Sequence, residues 1–512
     1  MQQLRLISGA NPDHALDALF INAPLRDYEA RPRTNDFTLP VLGMAYIATY
    51  AKSKGFNVGV LDAEAHGLGI AETAELVNQT TPRWAAMNLL APTYEMSARI
   101  AARLDPDIAV MVGGHHAKAL PERILADPRM SNLRALVIGE GETRVAALLE
   151  DEQRRRELPE VRWRDRLLGT TGVGLADART TAQMLGPDIN ALPYVDRAFL
   201  AQDPYPAPPT AADRRLAHSK PAPHLAAAAI GGHHEANIVG SRGCPYNCTF
   251  CGAAWSANRD VKIRVREPEN IIGELDALHD RHGVTAFRFV DDLFLGVRDV
   301  IYQHMKAFAD HGIGERYVWD ATGRINVLDR LTDQDLDTLV GNGLREVALG
   351  IESGSDRILR AMDKRINAAM TERVARRLLA HGIGVKAYFI LGYPGETRDD
   401  LDATVRHIRA LWEVADRSPA DLRASVFEFR PYPGTPVWTT LTKAGHHPDD
   451  LLAYGDIDLT ANGADESMRQ RDEFNFSVGI QFGDVPLDHL RTTLATLTRE
   501  QHERNRDGLA VA

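Results

Sequence analysis

The amino-acid sequence predicts an α/β protein in which a doubly wound parallel sheet is followed by an open, six-stranded βα barrel. Short apolar runs alternate with helical periodicity over residues 17–143, and a second βα series begins at Glu235. The only three cysteines of the chain lie within eight residues of one another, just after the first strand of the second series.

The first series contains five strand candidates: 18–23, 57–61, 84–90, 108–112 and 135–138. Between the first two, residues 41–54 carry apolar side chains at helical spacing and end at Gly55, a residue suited to a helix C-terminus. Because doubly wound sheets bind ligands beyond the carboxyl ends of their strands, we expect a ligand site at that edge.

The second series contains six strand candidates: 235–240, 284–290, 317–322, 345–351, 385–391 and 424–430. Helices are predicted between them over 270–282, 333–342 and 398–415. The last two helices follow Thr332 and Thr397, and Asp335 and Asp400 stand three residues later, as in a capping box. This alternation predicts a partial (β/α)6 barrel.

The chain is therefore divided into a Rossmann-like domain over 1–150, a connector over 151–232, the barrel over 233–440 and a small mixed C-terminal region over 441–512. The connector is rich in proline and could wrap the barrel. In the C-terminal region, Phe474, Phe476 and Phe482 either shape a substrate pocket or form the region's own core.

Composition narrows the class of protein. The net charge of −11 argues against a large nucleic-acid footprint, and no apolar run approaches the ~18 residues of a membrane span. The N-terminal residues lack the order of a secretory signal, so we expect a cytoplasmic protein. An odd number of clustered cysteines argues against a disulfide framework and favours a metal or cluster site.

The cysteine spacing is Cys244-x-x-x-Cys248-x-x-Cys251. Three thiolates on a 4Fe–4S cluster leave one iron open to chelate a substrate. The alternative is a zinc site, which normally has four protein ligands when structural; His233 or His234 could supply the fourth.

Polar residues also follow nearly every predicted barrel strand, where the active sites of βα barrels lie. An exposed loop charge would explain any one of them alone. Tyr432, after the sixth strand, is a candidate catalytic residue beside the three cysteines. The others are Asp291, Asp292, Arg324, Glu352, Ser353, Gly392, Tyr393 and Arg430.

Residues 243–252 (GCPYNCTFCG) resemble the signature of the radical S-adenosylmethionine (SAM) superfamily. The resemblance implies that the cysteines hold the 4Fe–4S cluster and that Phe250 contacts the adenine of SAM. It further implies that Asp291 and Asp292 contact the amine, that Glu352 contacts the ribose, and that Arg324 pairs with the carboxylate. Ser353 and Tyr388 are the remaining predicted SAM contacts.

The first domain lacks the G-x-G-x-x-G loop of a dinucleotide site. Its segments PVLGMAYIA, LLAPTYE, GGHHA and GEGET resemble those of cobalamin-binding domains fused to radical SAM barrels. The cobalamin contacts implied by this resemblance are Asn22, Leu42, Gly43, Leu90, Thr93, Tyr94, Gly113, Gly114, His115, Gly139, Glu140, Gly141 and Glu142.

Many cobalamin proteins supply a lower histidine ligand from an Asp-x-His-x-x-Gly loop after the first strand. Glu64-x-His66-x-x-Gly69 is close to this pattern, but it begins with Glu and follows the second strand. We interpret it as a coincidence and expect cobalamin without a histidine ligand. His115 and His116 are interpreted as loop residues near the corrin.

Because the cluster would use every thiol, a cysteine methyl carrier and a second cluster are both excluded, and cobalamin is the available carrier. The resemblances imply a cobalamin-dependent radical SAM C-methyltransferase acting on an unactivated carbon of a small specialised metabolite, in natural-product biosynthesis. The substrate could be carrier-bound, and flavodoxin or ferredoxin would supply electrons.

Two other functions remain open. A cyclase or rearrangement enzyme would use both cofactors without methyl transfer, and product mass separates it from a methyltransferase. A cobalamin-binding sensor would not cleave SAM at all.

Overall fold

The computed structural model describes residues 3–30, 40–150, 161–163, 186–201, 234–258, 263–456 and 476–511. These residues divide into two compact units. The first contains the described residues up to 201, with 257–258 and 432–434, and the second contains 234–256, 263–431 and the described residues from 435 onward. Each unit is built on one parallel sheet.

The first unit contains a seven-stranded sheet in the order β1-β3-β2-β4-β5-β6-β7. The five inner strands are parallel, and the short edge strands β1 and β7 are antiparallel to their neighbours. The predicted doubly wound sheet is therefore confirmed. Its strands are β1 (Ile7–Ser8), β2 (Ala18–Asn22), β3 (Val58–Asp62), β4 (Trp84–Asn88), β5 (Ala109–Gly113), β6 (Leu133–Val137) and β7 (Val161–Trp163).

Helices connect these strands and bury their apolar faces on the sheet. The predicted helix over 41–54 runs from Leu42 to Ser53, and Gly55 follows it with a φ of 92°, a left-handed conformation that glycine adopts without strain. The helices are α1 (Leu42–Ser53), α2 (Ala63–His66), α3 (Ile70–Thr80), α4 (Tyr94–Ala101), α5 (His115–Ala119), α6 (Pro121–Ala126) and α7 (Gly141–Leu149).

The described parts of the predicted connector pack within the first unit. Strand β7 pairs with β6. Asp196 forms an ion pair of 2.8 Å with Lys52, and its backbone N–H donates to Thr49 Oγ1 at 3.0 Å. These segments therefore belong to the first unit. The rest of the connector lies outside the described residues, and its path stays a prediction.

The second unit contains a six-stranded sheet in the order β15-β14-β13-β12-β11-β8, with every neighbouring pair parallel. The end strands β8 and β15 do not pair, so the predicted open barrel is confirmed. Its strands are β8 (His234–Ile238), β11 (Val284–Phe289), β12 (Val318–Gly323), β13 (Leu344–Glu352), β14 (Gly384–Leu391) and β15 (Leu422–Glu428); two ladders add β9 (Ser241–Arg242) with β10 (Arg264–Val265), and β16 (Gly455–Asp456) with β17 (Phe476–Ser477).

The helices of the second unit begin where the sequence predicts capping. The side chains of Thr332 and Thr397 each accept a hydrogen bond from the backbone N–H three residues later. The carboxylates of Asp335 and Asp400 accept one from the backbone N–H of the threonine, so both capping boxes are confirmed. The helices are α8 (Pro268–His282), α9 (Arg298–Asp310), α10 (Ile313–Arg316), α11 (Ile325–Leu328), α12 (Asp333–Gly341), α13 (Asp356–Ala361), α14 (Ala368–Ala380), α15 (Arg398–Ala415), α16 (Pro436–Lys443), α17 (Pro448–Leu451) and α18 (Leu487–Val511).

The C-terminal helix α18 covers the edge strand β15. Gln501 Oε1 accepts hydrogen bonds from the backbone N–H of Ala424 at 2.6 Å and from Trp412 Nε1 at 3.0 Å. An edge strand otherwise leaves its N–H groups open to pairing with other chains, so the helix closes this edge. The strand ends at Glu428, two residues before the predicted end.

The phenylalanines of the C-terminal region form part of a core. Phe482 packs edge-on against Phe429 at 5.3 Å between ring centroids, within an apolar cluster that includes Trp438. Phe476 is buried beside the Arg430 guanidinium, 4.0 Å from its ring centre. The structure therefore favours the core alternative for these two; Phe474 lies outside the described residues. No described helix is long and apolar enough to cross a bilayer.

Candidate functional site

The cysteine loop follows β8 and is closed at its base by the β9–β10 ladder, in which Arg242 stands opposite Arg264. Within the loop, the Cys251 N–H donates to the Cys248 carbonyl at 3.1 Å, and the Ala254 N–H donates to the Cys251 carbonyl at 3.1 Å. These tight turns hold the three cysteines on one compact loop, Cys248 buried and the other two half-buried.

The thiols are close enough to affect one another electrostatically. Burial, followed by the charges of Cys248 and Cys244, raises the pKa of Cys251 to about 12. Burial also raises the pKa of Cys244. Thiols in such a site remain protonated near neutral pH unless a cation binds, and a metal centre would hold them as thiolates.

The described side chains around the cysteine loop support a mononuclear zinc site less well than a cluster site. Among the residues that the structure describes, no three His, Cys, Asp or Glu side chains converge to hold a single metal ion. A 4Fe–4S cluster does not need this convergence, because each cysteine binds a different iron. His233 and the side chain of His234 lie outside the described residues.

Asp291 and Asp292 anchor the backbone that leads into the cysteine loop. Asp291 Oδ1 accepts hydrogen bonds from the N–H groups of Gly240 and Ser241 at 2.7 and 2.6 Å, and Asp292 Oδ2 accepts one from Gly243 at 3.1 Å. Burial raises the pKa of Asp291 to about 7. One oxygen of each carboxylate is therefore already hydrogen-bonded to the backbone. Asp291 Oδ2 has no partner among the described residues and is left for the predicted contact with the SAM amine.

Arg324 contacts the cysteine loop and the segment that follows α13. Its Nη1 donates to Cys248 Sγ at 3.5 Å, its Nη2 donates to the Lys364 carbonyl, and its guanidinium lies 3.9 Å from the ring centre of Tyr246. Both arms of the planar fork are therefore engaged by the protein. The predicted pairing of Arg324 with the SAM carboxylate stays a prediction; in the structure the guanidinium contacts Cys248 and the Lys364 carbonyl.

Glu352 lies at the end of β13 with a φ of 69°, a left-handed conformation that is strained for this residue. Its Oε1 accepts a hydrogen bond from Lys364 Nζ at 2.9 Å, and both side chains are buried. Lys364 Nζ also lies 5.9 Å from the ring centre of Phe250, which is half-buried. Glu352, Phe250 and Arg324, predicted separately, are thus joined through one lysine.

Three other predicted residues have different surroundings. Ser353 is fully buried, and its Oγ is hydrogen-bonded to Thr404 Oγ1 at 3.0 Å and to the Ser355 N–H at 3.1 Å, so the fold accounts for it without a ligand. Tyr388 is half-buried on β14, 6.1 Å from the Phe427 ring. Tyr432 is half-buried and belongs to the first unit, so its catalytic role stays a prediction.

The sequence interpretation missed the segment 361–365, which packs against the cysteine loop. The Thr249 N–H donates to the Met362 carbonyl at 3.0 Å. Asp363 and Arg365, on either side of Lys364, have φ values of 50° and 55°. The only signal in the sequence is a short charged run after α13, which resembles an ordinary solvent-exposed turn.

In the first unit, the predicted cobalamin contacts lie at the carboxyl ends of the parallel strands. Asn22, at the end of β2, donates from Nδ2 to Asp62 Oδ1 at 2.7 Å. Gly114 has a φ of 94°, and a side chain there would overlap Asn88 and come within 2.8 Å of the Leu89 carbonyl. The prediction explains this glycine by a ligand lying close to it, whereas the structure explains it by the close approach of the neighbouring loop.

Three predicted cobalamin contacts, Leu90, Thr93 and Tyr94, follow β4, and a fourth, His115, follows β5. The Tyr94 hydroxyl donates to Asp127 at 2.8 Å, while its ring stacks on His116 at 4.6 Å between centroids. Burial lowers the pKa of His116 to about 4, so this histidine is neutral. Thr93 is buried, whereas Leu90 is 42% exposed and His115 is exposed.

The remaining predicted contacts lie on α1 and after β6. Leu42 is buried, whereas a side chain on Gly43 would meet no atom within 4 Å. Gly139 has a φ of 92°, Gly141 packs against Ile47, and Glu142 is buried. The Glu140 carbonyl accepts a hydrogen bond from Arg144 at 2.5 Å.

Glu64, in the segment that resembles a cobalt-ligand motif, ties down the loop after β2. It accepts hydrogen bonds from the Leu25 N–H at 2.8 Å and the Tyr28 hydroxyl at 2.9 Å. The fold therefore accounts for Glu64 without the motif; the absence of a histidine ligand from this segment stays a prediction.

Glu396, in the loop after β14, gives a prediction for stability. It is fully buried, its Oε2 accepts a hydrogen bond from the Gly392 N–H at 2.6 Å, and burial raises its pKa from 4.5 to about 7. The folded state then holds this proton more tightly than the unfolded state, so stability is lost as the pH rises from 4.5 to 7. The loss of unfolding free energy with rising pH should therefore be ~1–3 kcal/mol smaller in Glu396→Gln than in wild type.

Denaturant unfolding at pH 5 and pH 8 measures the effect. The control is Glu413→Gln on exposed α15 surface, which should leave the pH dependence unchanged. Parallel pH profiles for wild type and Glu396→Gln would contradict the assignment.

Comparison with known proteins gives two family matches. Residues 238–408 match the Radical SAM superfamily, and residues 33–149 match the B12 binding domain. The two matched regions contain, respectively, the cysteine loop with its surrounding strand ends and the glycine turns at the carboxyl edge of the first sheet.

Three relatives are similar over most of their length. An uncharacterized methyltransferase of Pyrococcus horikoshii is 25% identical, covering 78% of each chain. Cytidylyl-2-hydroxyethylphosphonate methyltransferase of Streptomyces wedmorensis is 24% identical over 71% of this chain and 72% of its own. Anaerobic magnesium-protoporphyrin IX monomethyl ester cyclase of Rubrivivax gelatinosus is 26% identical over 77% and 68%.

Two solved structures share the fold. The radical SAM methyltransferase TsrM of Kitasatospora setae, solved with cobalamin and a [4Fe-4S] cluster, aligns with a TM-score of 0.52 at 16% identity, covering 86% of this chain and 81% of its own. The cobalamin-dependent SAM radical enzyme OxsB, solved with aqua-cobalamin and SAM, aligns with a TM-score of 0.53 at 14% identity, covering 96% and 67%.

Proposed function

We propose that this chain, which belongs to the cobalamin-dependent radical SAM enzymes, transfers a methyl group to an unactivated carbon of a small specialised metabolite. One observation carries the proposal: all three cysteines lie on a single loop, so no thiol remains to carry a methyl group. The matched B12 binding domain supplies an alternative carrier. Two of the relatives above are methyltransferases, which supports this reaction.

The residues present fit the three cofactors. Cys244, Cys248 and Cys251 would hold the cluster. The raised pKa values of Cys244 and Cys251 suit thiols that become thiolates when a cationic iron centre binds. At the carboxyl edge of the first sheet, the exposed Leu90 and the open space above Gly43 suit the corrin ring of cobalamin. When bound, the cluster would supply the electron that cleaves SAM, and cobalamin would carry the methyl group.

The chain's own residues would position these groups. Arg324 donates a hydrogen bond to a cluster-ligating sulfur, a contact that raises the reduction potential of iron–sulfur sites. Asp291 and Asp292 fix the backbone that enters the cysteine loop, so the three thiols are preorganised. Glu352, held by Lys364, would offer its carboxylate to the ribose of SAM.

The products of the reaction test this function. The loaded, reduced protein with SAM and its substrate should give methylated substrate, S-adenosylhomocysteine and 5′-deoxyadenosine together, the last two in about equal amounts because each SAM has one role. Deuterium at the methylated carbon should appear in 5′-deoxyadenosine. Mass spectrometry of all three products is the measurement.

The alternatives give different products. Polar methylation would give S-adenosylhomocysteine alone, and cyclisation or rearrangement would give 5′-deoxyadenosine alone. The cyclase among the relatives makes the second outcome the main competitor. A sensor would yield neither nucleoside product.

A further inference from the structure

Lys364 and Glu352 form a buried ion pair that the stability of the fold does not by itself explain. Nζ and Oε1 are 2.9 Å apart, and the two side chains are 7% and 8% exposed. Buried ion pairs add little net stability, because desolvation offsets the attraction between the charges. Stability alone therefore does not explain why two charges are placed here.

The backbone is shaped to fit this pair. Glu352 has a left-handed φ of 69°, and the two neighbours of Lys364 are also left-handed. A side chain on Gly350 would collide with the Glu352 carboxylate and lie 2.8 Å from Lys364 Nζ. Three strained residues and one glycine thus hold the pair in a single arrangement.

Lys364 also contacts the other residues around the predicted SAM position. Its carbonyl accepts a hydrogen bond from Arg324, which donates in turn to Cys248 Sγ. Its ammonium group lies 5.9 Å from the ring centre of Phe250. One residue therefore links the cysteine loop, Arg324 and Glu352.

We infer that Lys364 is a positioning residue for SAM, an inference that rests on the proposed function. Its ammonium group binds Glu352 Oε1 and holds the carboxylate in one orientation, so that Oε2 accepts a hydrogen bond from a ribose hydroxyl. Its carbonyl fixes Arg324 against the cluster ligand. The lysine does not touch the reacting atoms.

Equilibrium binding of SAM to the cluster-loaded protein tests this inference. Lys364→Met should weaken binding by ~10-fold or more, because it leaves Glu352 buried without its partner. Lys364→Arg retains the charge and should bind within ~3-fold of wild type. The control is Lys306→Met, which removes a lysine from an exposed ion pair with Asp310 and should change nothing.

The spectrum of the reduced cluster provides a second readout. Addition of SAM should perturb the electron paramagnetic resonance signal of wild type, Lys364→Arg and Lys306→Met, and should perturb that of Lys364→Met only at higher concentration. If Lys364→Met does not fold or retain iron, Glu352→Gln replaces it and should weaken SAM binding by a similar factor.

Wild-type affinity in an iron-loaded Lys364→Met protein would overturn the inference, and so would wild-type affinity in Glu352→Gln. A different result would overturn the proposed function itself: wild-type protein with a full cluster that neither binds SAM nor shows a spectral change. The two failures are therefore distinguishable.

Discussion

Joint replacement of Cys244, Cys248 and Cys251 by alanine should remove all bound iron from protein reconstituted under anaerobic conditions, whereas wild type should bind about four irons. The structure supplies the reason, since no other cysteine exists in the chain and the three thiols share one loop. Iron analysis and the visible absorption of the cluster measure the result. SAM cleavage should fall to background in the same protein.

The folding control is the thermal transition of the triple variant compared with that of apo wild type. Alanine leaves the backbone hydrogen bonds of the loop intact and removes the one from Arg324 to Cys248 Sγ, so the two transitions should agree within a few degrees. Iron retained by the triple variant would contradict the assignment. Stoichiometric zinc in wild type, with no cluster absorption, would favour the zinc alternative.

The sequence predicted the two sheets well because burial leaves a pattern along their strands. Every residue of β3 is buried, which produces a continuous apolar run. In β14, Val385, Ala387 and Phe389 are fully buried on one face and the residues between them are half-buried, so the pattern alternates. Capping threonines located two helix starts for the same local reason. The sixth strand was placed two residues late, because buried Phe429 continues the apolar pattern beyond the strand's end at Glu428 and still donates a backbone hydrogen bond to Leu391.

The direction of the site's side chains could not be read in this way. Asp291 and Arg324 were predicted to contact SAM at the ends of their strands, but the sequence does not show whether a strand-end side chain turns toward a ligand or toward the protein. Asp291 turns to two N–H groups and Arg324 to a sulfur and a carbonyl. Lys364 was missed because its segment has no periodicity and is shaped by left-handed residues.

Gly114→Ala should disrupt the carboxyl edge of the first sheet. Alanine would be strained at a φ of 94°, and its Cβ would overlap Asn88 and lie 2.8 Å from the Leu89 carbonyl. That carbonyl also accepts a hydrogen bond from the His116 N–H at 3.1 Å, so a shift of one loop moves the other. We expect a loss of about 2–4 kcal/mol in unfolding free energy and a marked loss of cobalamin retention.

Gly43→Ala is the matched control, because it adds the same methyl group to another glycine predicted to contact cobalamin. No atom lies within 4 Å of that position, and it falls in the first turn of α1. Alanine should therefore maintain or raise stability by up to ~1 kcal/mol. Thermal unfolding measures stability, and the cobalt content after gel filtration measures cobalamin retention. Gly114→Ala should lose both. Gly43→Ala should lose only cobalt if cobalamin lies against α1.

Wild-type stability and wild-type cobalt content in Gly114→Ala would contradict this prediction. They would show that the two loops can separate without a loss of stability and that cobalamin binding does not depend on their close approach.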